Sequence, residues 1–138
     1  MRQLSNVICN QRPLVLKQTV PVCHACRHMR DRKTGSVLVV DEDDRLVGIF
    51  TGRDAVRRVL AAGKDADTKL MEVMTVNPTT ISANKSAIEA LRLMWDGGFR
   101  HLPLMEGDKI LGVVSRGDFE SGEQLVLDEE RQLWEHMR

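Results

Sequence analysis

The sequence predicts a mixed α/β (α+β) fold built from two copies of one small unit. Three observations predict it. The stretch LVGIFTGRD at 46–54 returns as ILGVVSRGD at 110–118, so Gly48, Thr51 and Asp54 fall on Gly112, Ser115 and Asp118. Upstream the correspondence continues with a small slip: Pro13 meets Pro78, Leu16 meets Ile81, residues 25–31 meet 90–96, and Leu4, Val7 and Ile8 meet Leu70, Val73 and Met74. Each copy also switches between helical and strand periodicity in the same order. The copies span residues 1–63 and 68–120, joined by the small polar stretch GKDADT, and 121–138 form an unmatched tail.

Each element has a local reason. In the second copy, residues 69–74 form a short amphipathic helical turn that Asn77-Pro78 breaks, and 79–82 are β-prone. Asn84 or Ser86 can cap a helix whose apolar positions Ala87, Ile88, Leu91, Met94 and Trp95 keep helical spacing, and Gly97-Gly98 ends it. Residues 99–105 and 109–114 are strands joined at Glu106-Gly107-Asp108, and Ser115 opens another helix. In the first copy the matching strands are 36–40 and 46–50, followed by a helix over about 52–62. The tail is helix-prone, with Leu127, Trp134 and Met137 as an apolar stripe and Arg131 and Glu135 as a charge pair.

Bulk properties limit the function. The chain has 138 residues, enough for one compact domain. A single copy would be marginal alone, whereas two packed copies share a core. Lys plus Arg and Asp plus Glu are 20 each, so the formal net charge is zero, which disfavours a nucleic-acid binder. With no Tyr, three Phe and two Trp there is no stacking platform for bases. Apolar runs are too short to span a membrane, and the first residues lack a signal-peptide core, so a cytoplasmic protein is expected. Three cysteines fit a reducing compartment better than a disulfide framework.

The polar ends of the repeated segment are the candidate chemistry. Ser/Thr-x-x-Asp before a helix resembles a capping box. The same arrangement also sets a hydroxyl, the amides of a helix start and a carboxylate side by side. Helix amides suit a phosphate, and a carboxylate can accept both hydrogen bonds of a ribose diol. Cys23 and Cys26 form a CxxC with His24 and His28 nearby. The repeat puts them on Ile88 and Leu91, which predicts small core residues with no metal site. Motifs of nucleophilic, metal-dependent or P-loop catalysis are absent from the sequence, which predicts a non-enzyme.

The pattern Gly-apolar-apolar-Thr/Ser-x-x-Asp, as GIFTGRD and GVVSRGD, with Val73-Met74, Pro78 and the run GFRHLPL at 98–104, resembles a tandem pair of cystathionine β-synthase (CBS) domains. The resemblance covers residues 1 to about 120. It implies two β-α-β-β-α repeats packed with pseudo-two-fold symmetry and two clefts for adenosine compounds. In each cleft the Asp would hold the ribose, the Thr or Ser would lie near phosphate, and residues of the strands would enclose adenine. The second cleft would use Thr80, Ile81, Arg100, His101, Pro103, Ser115 and Asp118. The first would use Val15, Leu16, Gly35, Ser36, Val37, Thr51, Arg53 and Asp54. The basic pair Arg100-His101 is reversed relative to the His-Arg-Leu-Pro of AMP-activated protein kinase gamma subunits. The resemblance implies a regulatory module for AMP, ADP, ATP, NAD or S-adenosylmethionine, acting on a regulated partner and assembling as a homodimer. The alternatives are an assembly module with empty clefts and a thiol or metal sensor at Cys23 and Cys26.

Overall fold

The computed structural model describes residues 3–8, 11–119, 126 and 128–133. Along the chain run α1 (Leu4–Val7), β1 (Val15–Lys17), α2 (Val22–Arg32), β2 (Ser36–Val40), β3 (Leu46–Thr51) and a helical segment. That segment starts as α3 (Gly52–Asp54) and continues as a π-helix over Ala55–Leu60. There follow α4 (Leu70–Val73), β4 (Thr75–Val76), β5 (Ile81–Ser82), α5 (Ala87–Gly97), β6 (His101–Glu106), β7 (Lys109–Ser115) and a single 3-10 turn over Arg116–Asp118. The fold is the expected α/β mixture, with two sheets and helices.

The described chain divides into two compact units, one of residues 12–79 and one of residues 1–11 with 80–138. The units are offset from the sequence repeats, because the leading helix of each repeat belongs with the body of the other copy. Leu4 and Ile8 share a core with Ala87, Leu91, Met94, Leu102, Leu104, Val114 and Phe119. Leu70, Val73 and Met74 share one with Val22, Ala25, Met29, Val37, Phe50 and Val59. Backbone bonds fasten each leading helix in place: Leu4 N–H donates to the Lys85 carbonyl at 3.1 Å, and Leu70 N–H to the Val20 carbonyl at 3.0 Å.

In the unit of residues 12–79 the sheet order is β1-β2-β3-β4, with β1 parallel to β2 and the other neighbours antiparallel. Strand β2 is buried along its whole length, which its run of β-branched and apolar residues explains. The other unit has the order β5-β6-β7, with β5 parallel to β6 and β6 antiparallel to β7. Where the first sheet adds β4 beside β3, Gln11 does a similar job for β7 with its side chain. Its amide Nε2 donates to the Val113 carbonyl and its Oε1 accepts from Val113 N–H, both at 2.6 Å.

The long helices follow their sequence signals. Ser86 caps α5, accepting from Glu89 N–H at 3.2 Å, while the Glu89 carboxylate accepts from Ser86 N–H at 2.8 Å. Gly98 ends α5 in the left-handed conformation at φ +71°. Lys33 ends α2 the same way at φ +52°, without glycine's freedom.

Three expectations need correction. The helix expected over 52–62 is α-helical only in its first turn, and the π-form takes over from Ala55. The helix expected after Ser115 is a 3-10 turn that ends at Phe119. Cys26 is exposed and Cys23 half-buried, so the predicted core pair is not in the core. The buried face of α2 is Val22, Ala25 and Met29. A physical reason lies in the neighbours. Phe119 is buried in the same core as Leu91, whereas the corresponding residue of the first copy, Ala55, is smaller and only partly buried. Residues 128–133 contain helix, as the tail's composition suggests, whereas Leu127, Trp134, Glu135 and Met137 lie outside the described residues.

Candidate functional site

The residues of each predicted cluster fall within a single unit. In residues 12–79, β2 and β3 pair so that Ser36 lies opposite Thr51 and Val37 opposite Phe50, and Val15 on β1 pairs with Leu38. In the other unit His101 lies opposite Ser115, Pro103 opposite Val113, and Ile81 pairs with Leu104. The turn after each motif strand is closed by one equivalent bond: Gly52 N–H to the Gly35 carbonyl at 3.2 Å, and Arg116 N–H to the Arg100 carbonyl at 3.1 Å. The strands thus bring the hydroxyl, the carboxylate and the residues at 35–37 or 100–103 to one end of each sheet.

The capping interactions are real in both clusters. Asp54 Oδ2 accepts from Thr51 N–H at 3.0 Å and from Thr51 Oγ1 at 3.2 Å, and Thr51 Oγ1 accepts from Asp54 N–H at 3.3 Å. Asp118 Oδ2 accepts from Ser115 N–H at 2.8 Å and from Ser115 Oγ at 3.4 Å. A carboxylate offers about four acceptor positions on two oxygens, so capping does not by itself exhaust it.

The two clusters differ in access. Asp54 is 8% exposed, and its Oδ1 lies 3.5 Å from Arg58 Nε. Arg58 also donates Nη1 to the Met74 carbonyl at 2.9 Å, so one guanidinium ties the first carboxylate to the end of α4. The position matching Arg58 is Gly122, and Asp118 is exposed. Arg58 carries no signal in the motif and was not predicted; only its i, i+4 spacing from Asp54 pointed to it.

The motif arginines also differ. Arg53 is exposed. Arg116, one position earlier in its motif, folds back on α5: Nε donates to the Phe99 carbonyl at 3.2 Å, Nη2 to the Met94 carbonyl at 3.1 Å, and Cζ stands 4.3 Å from the Trp95 ring centroid. Arg131 of the tail stands 5.3 Å from the same centroid, and Arg92 pairs with Glu130 at 2.5 Å. Glu130 and Arg131 therefore lie against α5 through an ionic and a cation–π contact.

The remaining predicted residues divide by burial. Val37 and Pro103 are buried and Leu16, Ile81 and His101 half-buried, while Val15, Gly35, Thr80 and Arg100 are exposed. Ser36 is 2% exposed, and its Oγ has no hydrogen-bond partner among the described residues. An unmet buried hydroxyl costs about 1–3 kcal/mol. Among the described residues no cluster of three or more metal-ligating side chains occurs, and no helix is long and apolar enough to cross a membrane.

Comparison with known proteins agrees with this architecture. The family model of the CBS domain matches twice, over residues 4–61 and 70–121. The protein YlbB of Bacillus subtilis is 38% identical over 104 residues, which cover 75% of this chain and 70% of that protein. A putative signal-transduction protein with CBS domains from Burkholderia ambifaria superposes with a TM-score of 0.77 at 28% identity, covering 84% of this chain and 89% of that one. A CBS domain protein from Pyrobaculum aerophilum, solved with AMP, shares the fold at a TM-score of 0.82 and 22% identity, covering 92% and 98%. The chain spans 19% of a matching Arabidopsis thaliana CBS domain-containing protein and 63% of a matching Acidianus ambivalens protein. With two matched copies of the domain, an extensive relative and two units that repeat one strand-and-motif arrangement, this chain belongs to the CBS-domain family.

Proposed function

We propose that this chain is a regulatory module that binds an adenosine nucleotide, with the cluster of Arg100, His101, Ser115 and Asp118 as its principal site. The observation that carries the reading is the difference between the two carboxylates. Asp118 is exposed at the end of β7, whereas Asp54 is buried against Arg58. A ribose diol can approach the first directly from solvent. Arg100 and His101 stand on the same edge and supply positive charge or donors for phosphate. Ile81 and Pro103 offer apolar surface for a base. The likeness to a fold solved with AMP supports the ligand class.

The first cluster, Val15, Leu16, Gly35, Ser36, Val37, Thr51, Arg53 and Asp54, binds more weakly in this reading, because Arg58 must yield before Asp54 takes a diol. ADP, ATP, NAD and S-adenosylmethionine remain within the proposed class, and occupancy is read by a regulated partner or across a homodimer rather than spent on catalysis. The placement in the cytoplasm belongs to the same proposal. If both clusters proved empty, the chain would be an assembly module.

A thermal-shift panel of AMP, ADP, ATP, NAD and S-adenosylmethionine tests the class. A ligand at about 100 times its Kd adds ~2.7 kcal/mol, a rise of several degrees in Tm. A flat panel at millimolar concentration contradicts the reading.

A further inference from the structure

We propose that Cys23 and Cys26 form a redox-active dithiol that closes reversibly into an intrachain disulfide on the first turns of α2. Both are free thiols in this structure, Cys26 exposed and Cys23 half-buried. They stand three residues apart on one helix that runs from Val22 to Arg32. Helix geometry puts Cα atoms at that spacing about 5 Å apart. That lies within the ~4.4–6.8 Å Cα range of disulfides, while Cβ atoms at this spacing stand ~5–6 Å apart against the ~3.5–4.5 Å of a disulfide, so closure also requires the first turn of α2 to tighten locally. Helical positions i and i+3 are also direct neighbours on the surface.

The surroundings favour a dithiol over the other uses of a CxxC. The buried face of α2 is Val22, Ala25 and Met29, so the core does not require the thiols. Among the described residues there is no group of three or more His, Cys, Asp and Glu placed to hold a metal. The turn that carries Cys23 is anchored from outside the helix, with Val22 N–H donating to the Thr68 carbonyl at 2.8 Å and Cys23 N–H to the Ala66 carbonyl at 3.1 Å. Partial burial pushes the Cys26 thiol up, and the neighbouring Cys23 adds to the rise. Exchange at Cys26 should therefore quicken as pH rises toward the alkaline side.

The oxidant class is a small-molecule disulfide. The Cys26 thiolate attacks one sulfur of it, which forms a mixed disulfide and expels one small thiolate. The Cys23 thiolate then attacks Cys26 Sγ, the mixed bond breaks, and the second small thiolate leaves. The two protons lost by the cysteines end on the two released thiols; the protein dithiol is oxidised and the small disulfide reduced.

The test uses the chain carrying Cys9→Ser, so that only this pair can react. After incubation with glutathione disulfide, the expected product has lost both titratable thiols, is lighter by two hydrogen atoms and carries no glutathione. A peptide map places the bond between Cys23 and Cys26, and dithiothreitol restores both thiols. In the same background Cys23→Ser or Cys26→Ser should instead retain one glutathione adduct. If Cys9→Ser does not fold, Cys9→Ala serves with the same mapping. The proposal is overturned if both thiols survive, if two glutathione adducts accumulate, if the bond joins two chains, or if closure occurs only in denaturant.

Discussion

Met74 lies across Gly48 so closely that a Cβ placed on the glycine would collide with the methionine sulfur. The same relationship recurs between Ile8 and Gly112, where a Cβ would lie 3.2 Å from Ile8 Cδ1 and 2.6 Å from Gln11 Oε1. The glycine that opens each motif is thus a seat for the leading segment of the other repeat. Gly48→Ala should destabilise by ~1–3 kcal/mol through overpacking. Met74→Ala should cost less in that background than in the parent, because the two changes share one space. Denaturant unfolding of the four proteins checks this; strictly additive losses would refute the contact.

Gln11 completes the edge of β7 with two bonds to Val113. Gln11→Ala removes both, and at ~0.5–1.5 kcal/mol each the loss should be about 1–3 kcal/mol. Amide exchange at Val113 should accelerate in the variant. Unchanged protection at that amide would contradict the pairing.

Lys33 and Gly98 occupy equivalent ends of α2 and α5, both left-handed. Lys33 bears a Cβ cost that Gly98 does not. Lys33→Gly should therefore stabilise the chain by about 0.5–1 kcal/mol, read as a rise in Tm. A fall in Tm would mean that the lysine side chain contributes more than the conformation costs.

The Glu89 carboxyl is held below its usual range of 4.5, first by the Ser86 backbone N–H and then by the Ser86 hydroxyl and nearby Lys85 and Arg92. A depressed folded value means stability that is present above the unfolded value and fades as pH falls through the lowered one. Comparing the parent with Glu89→Gln, the stability gap should narrow as pH drops below about 4.5, since that is where the parent loses its advantage. A gap that stays constant from neutral pH to pH 3 would show that the cap does not depend on the charge.

Much of this was legible in the sequence, and the misses have causes. Ser86, Glu89 and Gly98 mark α5 through local backbone chemistry, which sequence displays directly. Strands β2, β3, β6 and β7 follow from apolar runs around short turns. The exchange of leading helices was hidden because Leu4, Val7 and Ile8 match Leu70, Val73 and Met74 in type and spacing, so the pattern cannot say which body each covers. Strand β4 was missed because two residues give no periodicity. Cys26 was misplaced because alignment with Leu91 transfers a residue type but not its burial: Leu91 is buried and Cys26 exposed. Both candidate clusters were read from the motif, whereas Arg58 and the folded-back Arg116 depend on side-chain directions that spacing does not fix.

The proposed nucleotide site rests on Asp118 receiving a ribose diol, and calorimetric titration of AMP against 2′-deoxy-AMP tests this most directly, on the parent chain and on Asp118→Ala. A hydrogen bond to a charged group is worth ~1.5–3 kcal/mol, so both the deoxy ligand and the variant should bind about 10- to 100-fold more weakly than the parent with AMP. Asp54→Ala should lower Tm while leaving this titration nearly unchanged. Equal affinity for the two ligands, or an Asp118→Ala chain that remains folded and binds AMP like the parent, would contradict the account.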